Sequence, residues 1–240
     1  METIEHDAWM IWQANGTACP EVRKDTIEDR AVLEIIQGME AYGYQVRIRY
    51  LATDLGIPVF RVWLVHPDSI ETYASHGLGC HLNKHLALKR AVTEAKQSMP
   101  QTLYSKAPNT RYMSRGNRDI LNSRHSLFYL YHFTQVDLSD RGKTLSMNQI
   151  PNETTGSVSG DFKKTLSKLA EKIPGMQAVG VNLTDPEINI PVVRVITSGL
   201  QQLSHPLQAV QDRLFTVPCE MGVCDTPLQY RELFNGRYPF

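Results

Sequence analysis

Glu2 and Glu5 stand three residues apart near the N-terminus. On a helix that spacing puts both carboxylates on one face, about one turn from each other. Such a pair of hard oxygen ligands can hold Mg2+ together with the phosphates of a nucleotide. Acidic side chains in a first helical turn can equally do no more than complement the helix dipole. Glu94 and Gln97 repeat the i, i+3 spacing on a second helical stretch, where they either border a ligand or form a polar solvent face. Gly77-Leu78-Gly79-Cys80-His81 leads towards that helix, which Asn83 is placed to cap. A glycine-rich approach of this kind either turns the chain or offers free backbone amides to an anion. His81 and His85 have the i, i+4 spacing of a zinc pair, but a helix starting at Asn83 separates them. With His76 and His205 they form no defensible ligand set. There is no Walker lysine loop and no nucleophile elbow.

The cysteines Cys19, Cys80, Cys219 and Cys224 read as reduced, structural thiols. Cys219 and Cys224 are five apart, which is not the short-knuckle spacing of a structural zinc site. Lys plus Arg (25) balance Asp plus Glu (25), so no global field argues for nucleic acid or an anionic membrane. No apolar run approaches the roughly 20 residues of a membrane span. The polar, acidic start Met1-Glu2-Thr3-Ile4-Glu5-His6-Asp7 is neither a signal nor a transit peptide. A cytoplasmic protein is expected.

The elements that must position these residues announce themselves through a repeat. Thr53-Asp54-Leu55-Gly56-Ile57-Pro58-Val59-Phe60-Arg61-Val62 recurs as Thr184-Asp185-Pro186-Glu187-Ile188-Asn189-Ile190-Pro191-Val192-Val193-Arg194-Val195. Asp can bond its own downstream backbone and Pro is tolerated at a strand's first position, so each copy reads as a turn between two strands. A helix precedes each. Thr26 to Tyr42 sets Ile27, Val32, Ile35, Ile36 and Met39 on one face; Gly43 stops it, and Val46, Ile48 and Tyr50 alternate as a strand. Phe162, Leu166, Leu169 and Ile173 mark the second helix, Pro174-Gly175 its stop, and Ala178 to Leu183 its strand. Between the copies, Leu86, Leu88, Ala91, Val92 and Ala95 give the helix after Asn83 its apolar stripe.

The expected fold class is therefore α+β, with duplicated helix–strand–turn–strand units and sheets packed against helices. Unit one covers about residues 25–100 and unit two about 161–200, followed by a C-terminal segment, 201–240. Segment 105–160, with Arg111, Arg115, Arg118, Arg124 and the burst Phe128-Tyr129-Leu130-Tyr131-His132-Phe133, reads as a variable, mobile insert. Its arginines read as a solvated surface rather than a nucleic-acid patch.

Three stretches read together resemble the YcaO family. Glu2-Thr3-Ile4-Glu5-His6-Asp7-Ala8 looks like its E-x-x-E-R-D-A helix, and Thr53 to Val59 is a second match. Gly77 to His81 with Ala87-Leu88-Lys89-Arg90-Ala91-Val92-Thr93-Glu94-Ala95-Lys96-Gln97 is similar to its G-x-G-x-H … A-L-x-R-A-L-T-E-A-x-Q run. Pro191 to Ile196 through Gly199-Leu200 is a weaker fourth. The resemblance, most like the TfuA-associated type, covers most of the chain outside 105–160. It implies Glu2 and Glu5 as magnesium ligands, and His6, Glu94 and Gln97 beside ATP. It implies ATP-dependent activation of backbone amides, giving azolines by cyclodehydration or thioamides with external sulfide.

The partners it implies are a peptide or protein substrate and a TfuA-like protein or complementing chain; a homo-oligomer is also open. The family's S-x-x-E-x-x-E motif lies upstream of the helix in which this chain begins, so a partial YcaO domain, incomplete on its own, is expected. Its carboxylates would sit on a frayed terminus. His6 stands at the usual arginine, Met99 at a frequent arginine, and Ser198 at a common proline. A degenerate, non-catalytic peptide- or partner-binding protein is the alternative. A duplicated α+β binding module outside the family is a third reading.

Overall fold

The structure is a computed structural model that describes residues 1–66, 74–106, 142–201 and 210–233. Five α-helices are described: α1 (Glu2–Asn15), α2 (Arg30–Ala41), α3 (Lys84–Lys106), α4 (Val158–Lys172) and α5 (Arg213–Glu220). The seven described strands are β1 (Glu21–Val22), β2 (Gln45–Tyr50), β3 (Val59–Val65), β4 (Ala74–Cys80), β5 (Thr144–Leu145), β6 (Ala178–Asn182) and β7 (Val193–Thr197). They form a five-stranded sheet in the order β4-β3-β2-β1-β5 and a separate antiparallel pair, β6-β7. The α+β class, with sheets packed against helices, holds.

Unit one makes the core. β2 alternates, sending Val46, Ile48 and Tyr50 to the same sheet face as Phe60, Val62 and Leu64 of β3. That face meets Val32, Ile36 and Met39 of α2 and Ala87, Leu88, Ala91, Val92 and Ala95 of α3. The opposite face carries Val59, Leu78 and Cys80 against Ile4, Ala8 and Trp12 of α1. Helix α1 is thus a filled layer, with Met10, Ile11 and Ala14 packed on Leu214 and Val217 of α5. At its N-terminus the Met1 carbonyl accepts the Ile4 and Glu5 amides, and further along Trp12 Nε1 donates to the Ala52 carbonyl at 2.7 Å.

Several boundaries differ from the expectation. Asp29, whose carboxylate accepts the Ala31 and Val32 amides, starts α2 later than Thr26; Lys24–Thr26 instead form a 3-10 turn. Leu86 turns away from the α3 stripe and is exposed. Gly77-Leu78-Gly79 is neither turn nor anion loop but lies within β4. A Cβ on Gly77 would stand 2.2 Å from the Ala95 nitrogen, and one on Gly79 2.1 Å from the Ala87 carbonyl oxygen. The missing side chains let α3 lie directly on the strand. Segment 105–160 is only partly an insert: α3 runs to Lys106, β5 pairs in parallel with β1, and Met147 and Ile150 join the core. The four arginines and the aromatic burst lie outside the described residues, as does His205.

The two repeat copies close alike. Gly56 and Asn189, each just before Ile-Pro, have φ of 60° and 55°. Asn189 is the non-glycine residue at positive φ among those described, a conformation Asn tolerates. Asp185 makes the expected local bonds, accepting the Glu187 and Ile188 amides. Asp54 does not; it is recruited by α5.

Candidate functional site

Helix α1 meets the β4–α3 connection at a cluster of carboxylates. Glu5 is only 3% exposed. Its Oε1 accepts the Cys80 amide at 2.8 Å and Arg90 Nη2 of α3 at 3.3 Å. Glu94, one turn beyond Arg90 on α3, is pushed above the ordinary carboxylate range, first by burial and then by the charge of Glu5, with Glu2 adding to it. An N–H at Leu78 and the Arg90 charge pull the other way. The structure therefore brings Glu2, Glu5 and Glu94 within electrostatic reach and sets Arg90 among them. Glu2 is exposed, His6 is half-buried, and both line the neighbouring cleft with Arg90. Gln97 lies exposed on α3, three residues past Glu94.

This crowding tests whether a cation fits. Like charges held together by a rigid fold gain from a divalent ion, and Mg2+ keeps waters and takes one or two carboxylates plus phosphates. Among the described residues no three His, Cys, Asp or Glu side chains close on one point as a protein-only ligand set. Glu5, with Glu2 and Glu94 in electrostatic reach, offers the one or two carboxylates that Mg2+ takes when phosphate fills the rest of its shell.

The cleft, about 1150 Å3, opens between α1, the start of α3, α4 and the β6–β7 hairpin. Its lining includes the polar Glu2, His6, His81 and Arg90 and the apolar Phe162, Leu166, Val193 and Val195. His81 Nδ1 accepts the Asn83 amide at 2.9 Å, so a neutral ring carries its proton on Nε2. Asn83 caps α3 by accepting the His85 and Leu86 amides. Nearby, Asp161 accepts the Thr155 amide and the Thr154 and Thr155 hydroxyls. Those bonds, the Thr155 amide first, hold it below the usual carboxylate range.

Two supports were not foreseen as such. The first is a buried triad in which Arg213 of α5 reaches Asp7 Oδ2 at 2.8 Å and Asp54 Oδ1 at 2.7 Å. Asp7 also accepts the Gln201 amide at 2.8 Å. Burial pushes the Asp7 carboxyl up, opposed by Arg213 and then by that amide. Burial alone would lower Arg213, but the two carboxylates hold it above its ordinary value. The triad locks the helix bearing Glu2 and Glu5 to the first Thr-Asp turn, which explains why that Asp leaves its local bonds. The second is Arg61, buried 5.0 Å from the Trp9 ring and 4.3 Å from that of Trp63. His76 beside them is lowered to about 3, by burial first and then by Arg61, and is neutral.

The departures have local reasons. Ser198 Oγ accepts the Gln177 amide, a bond that ties the hairpin's base. Met99 packs on the core of unit one. Cys19 and Cys80 are buried, and burial pushes the Cys80 thiol up, so it stays an inert core group. Cys219 and Cys224 are both free and half-buried, with their sulfurs 2.8 Å apart. No described helix is long and apolar enough to cross a membrane.

The chain is 27% identical over 221 residues to an uncharacterized protein of Methanothermobacter thermautotrophicus, covering 89% of this chain and 54% of that one. It is 24% identical over 226 residues to an uncharacterized protein in the tfuA 3' region of Rhizobium leguminosarum bv. trifolii, covering 83% and 48%. The chain thus spans about half the length of these curated relatives. Its fold is shared with a heterocyclase in complex with substrate and cofactor (TM-score 0.77, 21% identity, 100% of this chain and 30% of that one). It is also shared with the YcaO of Methanopyrus kandleri bound with AMPPCP and Mg2+ (TM-score 0.61, 20% identity, 82% and 49%). Residues 1–201 match the family model described as YcaO cyclodehydratase, ATP- and Mg2+-binding, and the chain belongs to that family.

Proposed function

We propose that residues 1–240 form part of an ATP- and Mg2+-dependent, cytoplasmic system that activates backbone amides of a peptide or protein, yielding azolines or thioamides. They need further polypeptide to do so. The observation that carries this reading is the buried Glu5 carboxylate, pinned by the Cys80 amide and Arg90 and close enough to Glu94 to push its pKa up. Acidic groups brought together in this way are what a site for a shared cation requires, and they carry the reading together with the family match. Bound nucleotide and magnesium would supply the phosphoryl group that converts an amide oxygen into a leaving group.

The chain's own residues do the positioning, which dominates phosphoryl transfer. Glu5 and Glu94 or Glu2 hold the cation. Arg90 and His6 face the phosphates from the cleft. Gln97 lies further along α3 towards the nucleotide. His81 Nε2, in the lining of the cleft, orients the substrate amide. The relative from a tfuA region supports a TfuA-like protein as partner.

The test is calorimetric titration of MgATP into the chain supplemented with the part of a family-length relative that lies outside the match. Binding should require Mg2+ and fall at least tenfold with Glu5→Gln, about 1.4 kcal/mol. Gln can still accept the Cys80 amide, so the fold is kept. Equal affinity for wild type and variant, or indifference to Mg2+, sinks the proposal. A second reading, a non-catalytic peptide binder, is favoured by His6 at the clamp position and by the lack of a three-side-chain ligand set among the described residues. It predicts peptide binding unaffected by ATP.

A further inference from the structure

The β6–β7 pair is the least covered of the described sheet strands. Every residue of β6, and every residue of β7 before Thr197, is exposed, and no described strand pairs with either outer edge. Val179, Val181, Val193, Val195 and Ile196 are between 37% and 63% exposed. Val179, Val181 and Ile196 lie on one face of the ribbon and Val193 and Val195 on the other, so both faces of a two-stranded ribbon are left apolar and open, which marks a missing contact.

The repeat says what the contact is. Aligning Ile57-Pro58 with Ile190-Pro191 sets Phe60 against Val193, Arg61 against Arg194 and Val62 against Val195. In unit one the outer edge of β3 is paired antiparallel by β4, and Phe60 and Val62 are fully buried under α2 and α3. In unit two the counterpart of α2 is present as α4, lining the same cleft as Val193 and Val195. Counterparts of β4 and α3 are absent among the described residues. The described chain after β7 does not supply them, because α5 is committed to α1. Family relatives carry about as much sequence again as this chain matches.

We propose that the hairpin is an interaction surface for a strand–helix pair supplied by polypeptide outside residues 1–240. Its strand pairs antiparallel with the outer edge of β7. Its helix lies over Val193 and Val195 beside α4, as α3 lies over Phe60 and Val62. This deepens the reading that the chain acts only with further polypeptide, but it does not depend on nucleotide binding.

The probe is the part of the Methanothermobacter relative outside the matched residues, added as a separate chain or fused to residues 1–240. Hydrogen exchange is read over 45–50, 59–65, 178–182 and 193–197, with light scattering for mass. Alone, the chain should be a monomer whose hairpin amides exchange about 100-fold faster than those of β2 and β3. The added polypeptide should slow hairpin exchange at least tenfold. Val193→Asp with Val195→Asp should abolish that gain and leave β2 and β3 unchanged.

A hairpin already protected in the monomer overturns the proposal, because the chain then covers itself. Protection in a dimer of this chain overturns it too, in favour of a second copy. So does unchanged hairpin exchange on adding the probe, bound or not. MgATP titration of the same samples separates the two readings: a protected hairpin without nucleotide binding defeats only the proposed function.

Discussion

Units one and two share a pattern of turn and strand but not a fate. β3 is buried along its whole length, while the aligned residues of β7 before Thr197 lie in solvent. The turns match down to a left-handed residue before each Ile-Pro. The difference is therefore tertiary: β4 with α3 covers one copy, and nothing described covers the other. Local sequence sets the shape of a strand–turn–strand unit, and its neighbours set its share of the stability.

Three measurements sharpen or break this contrast. Phe60→Ala should cost about 3–5 kcal/mol, as for a fully enclosed aromatic. Its counterpart change, Val193→Ala, should stay within about 0.5 kcal/mol in the chain alone. Denaturant melts of both variants decide it, and similar costs would erase the contrast.

Arg213→Met should cost about 3–5 kcal/mol at neutral pH, because Asp7 and Asp54 keep their burial and lose their partner. Asp7 is already raised above 3.8 and rises further without the guanidinium. A carboxyl raised in the folded state binds its proton more tightly there, so stability improves as pH falls towards the unfolded value. The Arg213→Met penalty should thus shrink between pH 7 and pH 4. A constant penalty would mean that Asp7 is not charged in the variant.

The smallest effect belongs to the other copy. Asp185→Ala removes two local bonds on an exposed turn and should cost about 0.5–1.5 kcal/mol, with no comparable dependence on long-range partners. A loss as large as that of Arg213→Met would show that the second turn is also held from afar.

What could be read in advance follows from range. Asn83 and the second Thr-Asp turn act within a few residues, so their chemistry is visible in a short window. The grouping of Glu2 and Glu5 with the α3 run came from motif order, and the structure sets Glu5 directly on Arg90. Arg90 itself stood in the quoted run, and its spacing to Glu94 was the available signal. Arg213 gave none: its partner Asp7 lies 206 residues away. The start of α2 slipped because Ile27 is buried without being helical, so its place in the apolar pattern extended the helix too far. Thr144 to Gly160 reads as loop because short edge strands and caps leave little hydrophobic period to detect.

The bare backbone of Gly77 and Gly79 works as a keyway. Helix α3 seats in it at van der Waals depth, with no side chain between to act as a bearing, so neither sliding nor rolling is open to it. Arg90 and Glu94 are carried on that seated helix, and Glu5 is fastened to the amide just past the keyway's end. The charged groups therefore share one rigid mount. Whatever adjusts when a ligand enters has to move on the other side of the cleft, where the hairpin lies exposed.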